Sequence, residues 1–196
     1  MKSHVILILL AGSLLMQSCE EKRSDTKFYY PIDSLINAQV VYLVESNAKL
    51  SKRAAIDGKE ESVSFIPKDS SAWVHELDVF AELNDINKPT NVGQYRTERG
   101  VKDLTSNLLI YTIKSTEKLP VSYINVYYLN TLSDIRKIEA HFDQESDLLK
   151  SSRDLLMEFQ NINNKIVLTS YSIQGGQKML LGDSVTFSVH GMVTLP

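Results

Sequence analysis

His141 and Asp143 stand two residues apart in the alternating run Ile135 to Asp143, which sets imidazole and carboxylate on one face of a strand. His190 lies on a later strand, on the face opposite Phe187 and Val189. If those strands were neighbours, the two histidines and the aspartate could converge on a metal ion. The expectation is solvated surface histidines instead, because the ligand spacing of zinc sites is not met. His75-Glu76 has no second histidine four residues on, so the helical zinc-protease pattern is absent. Glu139, His141, Asp143 and Glu145 alternate along one strand edge, but acid–base work needs a second carboxyl facing them across a cleft. There is no G-x-S-x-G elbow, and Gly175-Gly176 reads as a two-residue hairpin turn. The reading is a non-enzymatic protein with no metal and no cofactor.

Two further groups of side chains bear on binding. Tyr123 and Tyr127 share a strand face with Val121 and Leu129, and Tyr128, Tyr111 and Tyr171 sit on the same or other strands. Tyrosines bring contact area with a polar tip, so Tyr123 and Tyr127 mark the most plausible binding surface on the sheet, although such residues are also ordinary strand formers. Trp73 and Phe80 fall on one helical stripe, where they would line any cavity between helix and sheet together with Leu155, Met157 and Phe159.

Cys19 is the single cysteine. Lys2 supplies a positive n-region, Val5 to Met16 a short apolar run, and Ser18 a small residue before the thiol. The run is too short to span a bilayer comfortably and has the layout of a cleaved secretory segment. With the cysteine at the cleavage point it resembles a bacterial lipoprotein signal, although Met16 stands where leucine is usual. The resemblance implies that residues 1–18 are removed, that Cys19 is acylated, and that the protein is held at the cell envelope by its lipid, most naturally at the outer membrane. Buried acyl chains contribute about 0.8 kcal/mol per methylene, so several of them anchor a protein without a transmembrane helix.

Removing residues 1–18 takes one lysine and moves the net charge from −3 to −4. That balance argues against nucleic acid as a partner, which needs a basic footprint. The remaining length suits one domain with a real core, and 8 glycines and 5 prolines are too few for low complexity. Residues 19–27 are charged and read as a tether, with Glu20 and Glu21 loosely resembling the acidic surface-export signals of Bacteroidetes lipoproteins. Residues 28–196 then form the single domain.

Pro31 and Asp33 open a helix whose stripe is Ile32, Leu35, Ile36, Val40 and Leu43, although Val40 to Val44 also reads as a strand. Leu50 to Ile56 and Glu61 to Ile66 flank the hairpin dipeptide Asp57-Gly58. Asp69 or Ser70 caps a second helix with Trp73, Val74, Leu77, Phe80 and Ala81 inward, and Glu76, Asp78 and Glu82 outward. Asn84 to Gly100 reads as a linker. Strands follow at Leu108–Lys114, Val121–Leu129, Ile135–Asp143, Asp154–Gln160, Lys165–Gln174, Lys178–Leu181 and Ser184–Thr194. Alternation of this kind predicts an α+β domain, a curved antiparallel meander of about six strands covered on one face by two N-terminal helices.

The signal, the stretch from Trp73 through Asp85-Ile86-Asn87-Lys88-Pro89 to Tyr95, and the strand-rich tail resemble uncharacterised Bacteroidetes lipoproteins, which carry no assigned activity. The plan is also similar, at fold level only, to the half-barrels of periplasmic lipoprotein carriers and receptors. The leading expectation is an envelope lipoprotein that binds a protein partner. The alternative is a carrier or sensor of a hydrophobic ligand held between sheet and helices.

Overall fold

The computed structural model describes residues 28–179 and 182–196, so the signal, Cys19 and the tether lie outside the described residues. The chain forms helix α1 (Ile32–Glu45), a hairpin of β1 (Lys49–Ile56) and β2 (Lys59–Phe65), helix α2 (Ser70–Ala81) and a 3-10 helix (Glu82–Asn87). Seven strands follow: β3 (Tyr95–Lys102), β4 (Leu109–Ser115), β5 (Val121–Tyr128), β6 (Ile135–Glu145), β7 (Leu149–Ile162), β8 (Lys165–Met179) and β9 (Ser184–Thr194). All nine make one sheet in the order β2-β1-β9-β8-β7-β6-β5-β4-β3, antiparallel throughout. The α+β class and the meander are as expected, but the sheet is larger than the six strands predicted. One extra strand is β3, which occupies the second half of the expected linker, and the 3-10 helix takes part of the first half. Lys178 and Met179 are the end of β8 and not a strand of their own.

Both helices pack against the face carrying Leu50, Tyr171, Met157, Ile138, Val126 and Ile113, and close a single core with it. In α1 the buried residues are Ile32, Ile36, Gln39, Val40 and Leu43, a stripe at helical spacing. Val40 to Val44 therefore resolves as helix. The turn is closed by Asn47 at φ 50° and by the Ala48 amide donating to the Leu43 carbonyl at 3.0 Å. The Asp69 carboxylate accepts from the Ala72 amide at 2.9 Å and starts α2. Val74, expected inward, is exposed, and Glu76, expected outward, is turned to the sheet. There Glu76 takes an ion pair from Lys52 at 2.7 Å and a hydrogen bond from the Tyr171 hydroxyl. A cation on the inner face of β1 decides that orientation, which helical spacing alone could not reveal.

Gly175 and Gly176 are not a turn. They sit inside β8, paired to Arg153 and Ser152 on one side and to Phe187 and Thr186 on the other. The β7–β8 hairpin turns instead at Asn163 and Asn164, both at positive φ (52° and 62°), as a tight two-residue turn demands.

Candidate functional site

Tyr123 and Tyr127 both point to the sheet face that carries no helix. A bulge at Ser122 turns Val121 to the core while leaving Tyr123 opposite His141, Tyr128 points inward by simple alternation after Tyr127, and an extra residue at Arg136 on β6 sets Ile135 opposite it. Tyr123 stacks on His141 with ring centroids 6.1 Å apart. Tyr127 lies beneath Lys137, whose Nζ is 3.9 Å from the ring centroid. Its hydroxyl donates to Glu139 Oε2 at 2.6 Å, and burial followed by that bond holds the phenol well above its usual range. Tyr111 and Tyr171 face the core.

His141 sits at the centre of this strip. Its Nδ1 is 2.7 Å from Asp154 Oδ1 on β7, and its Nε2 is 3.2 Å from both Ser152 Oγ and Asp143 Oδ2. Ser152, His141 and Asp154 thus have the connectivity of a nucleophilic triad, on residue types the sequence reading did not combine. Their chemistry points elsewhere. A serine nucleophile needs a neutral imidazole nitrogen to take its proton. Here Asp143 competes for the same Nε2. Partial burial pulls the imidazole pKa down, but the Asp154 bond and the two carboxylate charges outweigh it, and the net shift is upward. Ser152 also lies on a strand paired on both sides, so neighbouring amides are committed to the ladder and not arranged around an oxyanion. The arrangement is a charge clasp joining β6 to β7.

His190 pairs with Arg53 and Ser172, three strand positions from β6 and so about 14 Å away at ordinary strand spacing. The two histidines do not converge. Among the described residues no group of three acidic, histidine or cysteine side chains is placed to hold a metal ion. Trp73, Phe80, Leu155, Met157 and Phe159 are brought together between sheet and helices, each buried in the one core cluster.

Protein-family models, curated proteins and solved structures were all compared with the chain, and none matches.

The geometry that bears most directly on recognition lies at the edges of the sheet. Edge strand β3 is blunted: Gly100 at φ 81° makes a bulge between Arg99 and Val101, and Arg96, Glu98, Arg99 and Lys102 line it with charge. Edge strand β2 has no bulge, and its charges, Lys59, Glu60 and Glu61, are confined to its first half. It pairs with β1 in unbroken register from Leu50–Phe65 to Ile56–Lys59, and every one of its residues is exposed. Val63 and Phe65 present apolar side chains there, with Ile66 just beyond the strand and Ile56 across the hairpin also exposed. Lys52, the partner of Val63, is held beneath α2 by Glu76, so β2 lies one strand beyond the row that the helix clamps. The Glu61 to Ile66 alternation announces a strand, but only the sheet order reveals that it is an edge.

Proposed function

We propose that this protein is a non-enzymatic cell-envelope lipoprotein, anchored through Cys19, that binds a protein partner by adding an extended segment of it to β2. The observation that carries this reading is the contrast between the two edges. An open edge offers a row of unpaired backbone donors and acceptors, and natural proteins usually suppress it. Here one edge is suppressed by a bulge and by charges along its length, while the other is straight and, beyond Lys59, Glu60 and Glu61, uncharged, with Val63 and Phe65 on one side. Strand addition uses main-chain hydrogen bonds for affinity and alternate side chains for specificity. The N-terminal segment is compatible with suspension from a tether. Tyr29, next to the first described residue, is pinned by its amide to Asn87 Oδ1 at 3.0 Å and by the Tyr111 hydroxyl to its carbonyl at 3.2 Å.

The test is photo-crosslinking in intact envelopes with a reactive residue at Ser62 or Ser64, and with Arg96 or Glu98 on β3 as controls. A discrete adduct from β2 positions, absent from β3 and lost in a Val63→Lys, Phe65→Lys variant, is the expected result. Equal labelling at both edges, or none at β2, would overturn the reading.

A further inference from the structure

Where the helix-free face runs out toward the β6–β7 and β8–β9 tips, it forms a cleft of about 750 Å³. Small-molecule sites fall at roughly 300–1,000 Å³. Its floor is the cross-strand row Ser152, Gly176 and Thr186, and the next row is Lys150, Lys178 and Ser184. The loop Lys118 to Pro120 and the end of β6 make the wall.

The two glycines of β8 differ in a way that bears on this cleft. A Cβ on Gly175 would meet the Ser152 carbonyl at 2.3 Å and the Phe187 ring at 3.0 Å, so packing forbids a side chain there. A Cβ on Gly176 would meet only the Val185 carbonyl, at 3.4 Å, with no unusual φ. The sheet itself therefore accepts a side chain at 176, and what that side chain would fill is the floor of the cleft. A glycine inside a strand often marks a bulge, a bend or a close approach by a ligand or another backbone, and the register at Gly176 is unbroken on both sides.

The charges are unbalanced in one direction. Glu145 is bound by both Lys118 and Lys150, the latter at 2.5 Å, and Asp143 faces His141 Nε2 and Ser122 Oγ, each at 3.2 Å. Both carboxylates of the lining are thus occupied. Lys178 has no ion-pair partner among the described residues. On the same face stand hydroxyls able to donate or accept, Ser184 beside it in its own row and Ser152 and Thr186 in the next.

We infer that this cleft binds a small anionic ligand, a carboxylate or phosphate on a hydroxyl-bearing scaffold, with the anion on Lys178 and the scaffold over Gly176 against Ser152 and Thr186. The site is separate from the β2 edge, and neither proposal depends on the other.

The experiment is an NMR titration of the full-length protein in detergent, following the amides of Ser152, Gly176 and Thr186. The probes are glucuronate, glucose 6-phosphate and, as the neutral control, glucose. Saturable shifts at these three amides with one or both anions, and at least tenfold weaker binding of glucose, are expected. The two anions separate a carboxylate site from a phosphate site. Lys178→Gln should weaken binding about tenfold or more, the usual loss for a charged hydrogen bond. Gly176→Val should abolish it with the amide spectrum otherwise retained. No saturable shift with either anion, glucose binding equally well, or full affinity in Lys178→Gln would each overturn the proposal.

Discussion

The ring of Tyr171 on β8 lies across the backbone of Gly191 on β9 so closely that a β-carbon at 191 would fall 2.2 Å from two ring carbons. The ring cannot easily swing aside, because its hydroxyl is bound to Glu76 on α2 and it packs edge-to-face with Phe80, centroids 5.7 Å apart. One contact thus fixes the spacing of β8, β9 and α2 together. Gly191→Ala should destabilise the fold by about 1–3 kcal/mol, the usual cost of overpacking. Urea unfolding would show it as a lowered midpoint at unchanged slope. In the double variant with Tyr171→Leu the two penalties should fall short of their sum, since the added methyl then has room.

Gln39 on α1 does the same for the lower part of β8. Its Oε1 accepts from the Leu168 amide at 2.7 Å, and its Nε2 donates to the Ile166 carbonyl at 3.0 Å. It completes backbone groups that β9 does not reach, because the β8–β9 ladder begins only at Ser170. Gln39→Ala leaves a buried donor and acceptor unpaired and should cost about 1–3 kcal/mol for each group left unsatisfied. Hydrogen exchange at the Leu168 amide should accelerate more than exchange in β5 or β6.

The His141 clasp predicts a pH dependence of definite sign. Its pKa is raised in the folded state, so the stabilisation is fully present below the unfolded value of about 6.5 and is lost as pH rises through the folded value. The stability difference between the native protein and His141→Gln should therefore shrink between pH 5.5 and pH 8.5, by an amount read from paired urea midpoints. Asp154→Asn should bring the imidazole midpoint down in a proton NMR titration. An unchanged midpoint would mean that the clasp is not formed in solution.

The glycine pair offers a contrast within two adjacent residues. Gly175→Ala collides with the Ser152 carbonyl and should cost about 1–3 kcal/mol. Gly176→Ala should stay within about 0.5 kcal/mol of the native protein, as a surface substitution does. Thermal or urea unfolding of the two single variants decides it, and equal losses would remove the argument that the cleft floor is kept open.

Much of this molecule is legible from local pattern. The helical stripe of α1, the Asp69 cap, the Asp57-Gly58 hairpin and the alternation of β5 to β9 follow from spacing and residue type. Those signals reach only a few residues along the chain. They failed where a distant neighbour supplies the deciding force: Lys52 turns Glu76 inward, Ser152 and Phe187 explain Gly175, and Ile113 and its neighbours recruit a charged segment into β3.

By itself the sequence determined most of the segments that are helix or strand and the apolar face of most of them. Only the tertiary structure decided the strand order. With it came the pairing of the first hairpin to the last strand, the exposure of β2, the meeting of His141 with Asp154, and the cleft above Gly176. The physical reason is that periodicity records how a residue relates to solvent. Which strand lies beside which is settled by packing between residues far apart in the chain.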